Sequence, residues 1–183
     1  MNINLETAKA YALEKFSQMS QLDYRFNSLH CECMIKAIDE LEKDLDTIDI
    51  EKLKILVWLH DIGKIINEED HAKHSFEILE KDFELDEIDK DCILNHAVKD
   101  NPITIEGKVF RIIDKISFFY PDMLLYFFYG IGREGKNKFE EAKLFVDKSY
   151  NGIITHKSST VETKLETKAR ELLIKKYNKI FGE

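Results

Sequence analysis

Glycine and proline are rare in this chain, with seven glycines and two prolines among 183 residues. Because β-sandwiches and β-barrels use both residue types in their many turns, this scarcity argues against them and favours helices. The longest apolar run, residues 123–129, is far shorter than the ~20 residues that span a bilayer. The first residues also lack the basic start and apolar stretch of a secretory signal. We therefore expect no membrane partner.

Cysteine is also scarce, and its three positions, Cys31, Cys33 and Cys92, do not form a disulfide framework. An odd number of cysteines without the spacing of a disulfide-rich or zinc-binding module is typical of reduced thiols in the cytoplasm. We therefore expect a cytoplasmic protein whose cysteines take part in ordinary helix packing.

Positive charge is in the minority, since 27 lysines and arginines stand against 35 aspartates and glutamates and give a net charge of -8. A protein that binds polymeric nucleic acid needs a basic surface to neutralise phosphates, so that class is not expected. A small anionic substrate would also be repelled unless the site itself supplies positive charge. Apolar residues make up 44% of the chain, enough for a core, and the length fits one domain of ~100–200 residues.

The sequence is rich in apolar residues spaced by three or four positions, the pattern of amphipathic helices. About eight such segments cover the chain, and no convincing strand is visible. We predict an all-α helical bundle that forms a single domain over residues 1–183, in which Ser28 caps the second helix and Arg111 faces solvent. The aromatic segment 118–129, followed by a loop at 130–137, is either core, a dimer face or the wall of a substrate pocket.

Five of the six histidines lie between residues 30 and 96, and His156 is expected at the surface. His60 and Asp61 follow a nearly all-apolar stretch, so they need a basic partner or a metal, because unpaired buried charge is costly. A metal suits the whole set of polar residues on or beside apolar faces: His30, His60, Asp61, His71, His96 and Asp114. Imidazole together with carboxylate suits Fe, Mn, Zn, Co or Ni, and this set can hold two such cations with Asp61 between them.

The motif His30…His60-Asp61…Asp114, with the local sequence His60-Asp61-Ile62-Gly63-Lys64, resembles the HD superfamily of metal-dependent phosphohydrolases. The resemblance covers about residues 25–120 and leaves a helical extension at about 122–183. It implies an HD-domain helical bundle with the metals held between helices, and the intermediate ligands imply a two-metal member. In this alignment His71 rather than His74 is the ligand, since Ser75 then falls where the family usually has a small residue.

The chain departs from several branches of that family. Many two-metal members have a pair of histidines where this chain has Asn95-His96. In those members one histidine of the pair contacts the substrate, and Asn95 occupies its position in this chain. Residues 97–104 lack the Gly-Tyr-Pro motif of the cyclic-di-GMP phosphodiesterases, which disfavours that branch. The HD-type dinucleoside tetraphosphate hydrolases are nearest in size, although the residues after Asp114 differ from theirs.

The resemblance and the ligand set predict a hydrolase that cleaves a phosphoester or phosphoanhydride of a small nucleotide-like substrate. Two divalent cations ~3.5–4 Å apart acidify a water, whose hydroxide attacks phosphorus, and clamp the phosphoryl oxygens. Asp61 and Lys64 are the predicted catalytic residues, and Lys64, His74 and Asn95 the predicted substrate contacts. Two alternatives stay open: an HD-type di-iron oxygenase, because some HD relatives activate O₂ with the same ligands, and a non-catalytic HD regulatory module. A homodimer is open as well.

Overall fold

The computed structural model of the chain describes residues 1–97, 100–133, 139–155 and 163–182, without the side chains of 131–133 and 139–142. Over these residues it contains helices and no strand, so the predicted all-α class is confirmed. The α-helices are α1 (Leu5–Phe16), α2 (Gln21–Leu41), α3 (Ile50–Leu59), α4 (His71–Asp82), α5 (Glu87–Leu94), α6 (Ile105–Ser117), α7 (Pro121–Arg133), α8 (Phe139–Thr155) and α9 (Lys164–Phe181). Short 3₁₀ helices lie at Glu42–Asp44 and Ile62–Ile65.

Nine α-helices lie within the described part of the chain, one more than the sequence pattern predicts, because the aromatic segment forms α7. Its first residue is Pro121, and proline suits this position because the N–H that it lacks would have no helical acceptor. The predicted loop at 130–137 is wrong in its first part, since α7 continues to Arg133. Residues 134–137 and the predicted surface residue His156 lie outside the described residues.

The second helix begins at Gln21, so the predicted cap at Ser28 is wrong. Ser20 is the N-cap, and its side chain accepts a hydrogen bond from the N–H of Asp23. Ser28 lies in the helix interior, where its Oγ donates to the carbonyl of Tyr24 at 2.7 Å. A buried hydroxyl is satisfied in this way without ending the helix.

The core lies between α1, α2, α3 and α6, and α9 packs along α6. This packing contradicts the predicted exposure of Arg111, which is only 1% exposed. The Arg111 guanidinium donates to the carbonyl oxygen of Asp100 at 2.7 Å, and burial lowers its pKa. The C-terminal helix α9 therefore closes the bundle on the side of α6, which carries one of the predicted metal ligands.

None of the described helices combines the length and the apolar character of a membrane-spanning segment. All three cysteines are buried free thiols, in agreement with the predicted helix packing. The thiol of Cys31 on α2 donates to the carbonyl of Val57 on α3 at 3.3 Å. This contact joins two of the helices that supply the predicted ligands.

Candidate metal centre

The predicted ligands come together in the interior of the bundle. They are supplied by α2, the end of α3, the start of α4, the end of α5 and α6: His30, His60 with Asp61, His71, His96 and Asp114. Five of the six are at most 2% exposed, and His71 lies partly exposed at the edge. Residues far apart in the chain thus form one polar cluster within an apolar surrounding.

Asp61 lies at the centre of this cluster, and each of its oxygens faces a different pair of histidines. Oδ1 is 3.2 Å from Nε2 of His71 and 3.6 Å from Nε2 of His96. Oδ2 is 3.3 Å from Nε2 of His60 and 3.6 Å from Nε2 of His30. A carboxylate oriented in this way can bridge two cations, each held by one histidine pair.

Asp114 extends the cluster on the side of His30, since its Oδ1 is 3.1 Å from Nε2 of that residue. Two groups of residues have ligand atoms that all lie within 4.8 Å of one another: His30, His60 and Asp114, and His60, Asp61 and His96. His60 belongs to both groups, so the two candidate positions for a cation are adjacent.

Three of the histidines are oriented by the backbone carbonyl three residues earlier. Nδ1 of His60, His71 and His96 lies 2.8, 2.7 and 2.8 Å from the carbonyl oxygens of Val57, Glu68 and Ile93, respectively. Because a carbonyl oxygen only accepts, Nδ1 carries the proton in each of these bonds, and a lone pair is left on Nε2. The Nε2 atoms, which face the cluster, are therefore the atoms that could bind a metal.

His30 obtains the same tautomer from a hydroxyl group on α6. Ser117 Oγ lies 2.6 Å from the carbonyl oxygen of Asp114, to which it donates. Its lone pair can then accept from Nδ1 of His30 at 2.8 Å. Sequence reasoning missed Ser117, although its position three residues after Asp114 puts both residues on one face of α6.

The four imidazoles approach one another closely without a proton between their ligand atoms. The Nε2 atoms of His71 and His96 are 2.9 Å apart, and those of His30 and His60 are 3.3 Å apart. Oδ1 of Asp61 is buried and makes no hydrogen bond. Converging lone pairs beside a buried, unpaired carboxylate oxygen need a cation, so these residues fit a divalent metal.

The charge states of the side chains also suit metal binding. Burial lowers the pKa of His60 to about 3, and burial lowers the pKa of His71 as well, so both rings are neutral at pH 7. Burial raises the pKa of Asp61, but the positive charge of the neighbouring Lys64 ammonium group opposes this effect, and the pKa lies well below its usual range. The cluster therefore offers neutral imidazoles and an ionised carboxylate.

Two lysines border the carboxylates of the cluster. Nζ of Lys64 is 2.7 Å from Oδ2 of Asp61 and 3.4 Å from the amide oxygen of Asn27. Burial lowers the pKa of Lys64, but the Asp61 carboxylate raises it more, so this ammonium stays charged. Burial raises the pKa of Asp114, but its ion pair with Lys115 holds it well below its usual range. Sequence reasoning missed Asn27, which lies one helical turn before His30.

The structure gives other partners to the remaining predicted substrate contacts. His74 lies one turn after His71 on α4, and its Nδ1 is 3.1 Å from Oε2 of Glu77. Asn95 donates from Nδ2 to Oδ1 of Asp91 at 2.8 Å. Neither His74 nor His71 belongs to the two groups of converging ligand atoms found among the described residues, but Nε2 of His71 lies 3.2 Å from Oδ1 of Asp61. Of the two α4 histidines, the one in the cluster is His71.

Comparison with known proteins places these residues in a family. Residues 28–118 match the HD domain, and all six residues of the cluster lie within that segment. No curated protein and no solved structure matches the chain significantly. HD domains bind divalent metals, in agreement with the histidine and aspartate groups described above. The chain therefore belongs to the HD superfamily, whose members are mostly metal-dependent phosphohydrolases.

Proposed function

We propose that this protein is a metal-dependent phosphohydrolase that cleaves a phosphoester or phosphoanhydride of a small nucleotide-like substrate. The observation that carries the proposal is the convergence of four Nε2 lone pairs and two carboxylates beside the ammonium group of Lys64. This ligand set suits two divalent transition metals, such as Fe, Mn, Zn, Co or Ni. A lysine ammonium group beside two such cations can donate a hydrogen bond to an oxygen of a phosphoryl group.

The charge of the loaded site explains how an acidic protein can bind an anionic substrate. The net charge of -8 counts side chains only. Asp61 and Asp114 contribute two negative charges to the cluster, whereas two divalent cations would bring four positive ones, and Lys64 and Lys115 add to them. The site is then locally positive, although the surface as a whole repels polymeric nucleic acid.

The histidines, Lys64 and Asn27 have different tasks in the proposed reaction. Bound divalent cations supply an acidified water as nucleophile and neutralise the charge that develops on the phosphoryl group. The histidines hold Nε2 towards the cations, because Nδ1 is fixed by the carbonyls and by Ser117. Lys64 donates to a phosphoryl oxygen, and Asn27 limits where its ammonium can point. In the reaction, water oxygen bonds to phosphorus, the bond to the leaving oxygen breaks, and that oxygen takes up a proton.

The proposal predicts that phosphate release depends on the metal. Chelation is expected to lower phosphate release from a panel of nucleotides by at least about a hundredfold, and added Mn²⁺ or Fe²⁺ is expected to restore it. The metal should also stabilise the fold, by about 2.7 kcal/mol for an ion at a hundred times its Kd, which a thermal unfolding series measures without any substrate.

Three outcomes of the metal series would contradict the proposal. Loaded protein that releases no phosphate from any nucleotide is not the phosphohydrolase that we propose. Substrate-dependent O₂ uptake by iron-loaded protein, without phosphate release, would support the oxygenase alternative instead. Protein that neither retains metal after purification nor gains stability from it would support the non-catalytic module.

The neighbouring histidines of α4 give a matched pair of variants. His71→Ala is expected to weaken the binding of one cation about 10- to 100-fold, because it removes one of the two imidazoles that face Oδ1 of Asp61. His74→Ala removes an imidazole of the same helix that contacts Glu77 instead, so its metal content should stay close to that of the unchanged protein. Metal analysis after dialysis compares the two variants. A larger loss in His74→Ala would reverse the assignment.

A further inference from the structure

A cavity of about 480 Å³ opens beside Lys64, between the N-terminal half of α2 and α7. Its volume lies within the range of small-molecule sites, ~300–1,000 Å³. Eight of its ten lining residues lie outside the segment 28–118 that matches the HD domain. The cavity is therefore built mainly by the flanking helices of this chain rather than by the part that it shares with the family.

The cavity begins where the candidate metal centre ends. Lys64 lines it and holds Oδ2 of Asp61 at 2.7 Å, and Asn27, which also lines it, accepts from Lys64. Ring contacts also connect the metal centre with the cavity. The ring centroid of Phe118 is 5.3 Å from that of His30 in the metal centre and 6.5 Å from that of Phe26, which lines the cavity. A group that contacts Lys64 at the metal centre can thus extend directly into the cavity.

The walls of the cavity are aromatic and apolar on the side of α7. Phe26 of α2 and Phe127 of α7 have ring centroids 6.2 Å apart, and Tyr126 and Leu22 lie beside them. The rings are partly exposed, so they can receive a planar group without unfolding the core. Aromatic side chains bind such a group by stacking or by edge-to-face contact.

The charges around the cavity oppose a second anionic group. Asp23 and Glu68 place two exposed carboxylates at its lining. Among the described residues that line it, Lys64 is the one cation, and the proposed function assigns its ammonium group to the phosphoryl group at the metal centre. Additional phosphates in the cavity would meet these carboxylates, whereas an uncharged ring with N–H donors would not.

We propose that this cavity binds the organic part of the substrate, and that this part is aromatic and uncharged, with a nucleobase as the fitting chemical class. The inference rests on the proposed phosphohydrolase function, since it locates the phosphate at the metal centre. The preferred substrates are then monophosphate esters with one aromatic group, such as nucleoside monophosphates. Nucleoside triphosphates are poorer substrates because their additional charge faces Asp23 and Glu68.

Variants of the two phenylalanines test the aromatic contact. Phe127→Leu and Phe26→Leu keep an apolar side chain but remove the ring, and each is expected to raise KM for nucleoside monophosphates about five- to tenfold with little change in kcat. Leu125→Ala is the control, because Leu125 belongs to the same helix but is 74% exposed and does not line the cavity. Unchanged KM in both ring variants, with unfolding transitions like that of the parent, would overturn the inference.

Binding of uncharged nucleosides to the metal-free protein separates this inference from the proposed function. Calorimetry should detect nucleoside binding to the parent protein and about fivefold weaker binding to Phe127→Leu. If this holds while the loaded protein releases no phosphate, the cavity inference stands and the proposed function fails. If the loaded protein hydrolyses nucleotides but neither binds nucleosides nor responds to the ring variants, the function stands and the inference fails.

The two carboxylates at the cavity can be tested separately. The double variant Asp23→Asn/Glu68→Gln is expected to raise kcat/KM for triphosphates relative to monophosphates about three- to tenfold. An effect of this size is expected for the removal of charges that are exposed to water. Glu14→Gln on α1 removes an exposed carboxylate that does not line the cavity and should leave the ratio unchanged. A parent protein that prefers triphosphates, or a ratio that the double variant does not alter, would contradict the assignment of the cavity to an uncharged group.

Discussion

Asp61→Ala is expected to lower phosphate release by at least about a hundredfold at saturating metal, the largest effect of a substitution on activity that we predict. Among the residues that the structure describes, Asp61 is the one whose two oxygens face all four histidines of the cluster. Its removal therefore deprives both candidate cation positions of a shared anionic ligand. It also removes the partner that holds the Lys64 ammonium at 2.7 Å, so the proposed phosphate contact loses its orientation.

The measurement combines kinetics with metal content and stability. Asp61→Asn keeps the shape of the side chain and should show nearly the same loss, because the charge is what the cations require. Breaking a buried ion pair costs about 3–5 kcal/mol, and the cost here should be smaller because Glu68 lies 3.7 Å from Lys64. Asp46→Ala changes an exposed aspartate and is the control. Phosphate release equal to that of the parent, in folded Asp61→Ala, would refute the proposed function.

Most members of the cluster can be predicted from the sequence because they interrupt or end an apolar pattern, whereas the choice of His71 over His74 rests on the resemblance to the HD superfamily. His60 and Asp61 follow the apolar helix α3, and His30 and Asp114 lie on buried helix faces. A polar residue in such a position needs a partner, and several of them at once indicate a common one. The structure brings these residues together, and it adds the tautomers that leave the lone pair of Nε2 available to a metal.

The supporting residues cannot be predicted in the same way because they depend on contacts between distant segments. Ser117 contacts His30 across 87 positions of the chain, and no local pattern indicates that contact. The charge of Arg111 predicts an exposed side chain, but the packing of α9 on α6 buries it. The sequence pattern of α9 predicts a helix and does not show which helix it packs against. Pro121 is compatible with the end of one helix and with the start of the next, and only the second is found.

Gly63→Ala is expected to have the largest effect on stability, because α4 lies directly against the turn that follows Asp61. A Cβ atom at position 63 would lie 2.2 Å from the carbonyl oxygen of His71 and 2.3 Å from the backbone nitrogen of Ser75. These are backbone atoms, so the helix itself must move. The N–H of Gly63 also donates to Oγ of Ser75 at 2.8 Å, and this buried hydrogen bond would be strained by the same movement.

The displacement of α4 should act on stability and on the metal centre together. We expect a loss of about 3 kcal/mol in the free energy of unfolding, at the upper end for overpacking. Metal binding should weaken about 10- to 100-fold, because His71 is the first residue of α4 and moves away from Asp61.

Gly130→Ala is the matched control: its Cβ would lie 3.7 Å from a leucine methyl group, so α7 should be as stable as before or slightly more stable. If Gly63→Ala unfolds at the same denaturant concentration as the parent, the close contact between this turn and α4 does not exist in solution. If it loses stability but keeps its metal affinity, the start of α4 does not hold a ligand, and the assignment of His71 would have to be given up.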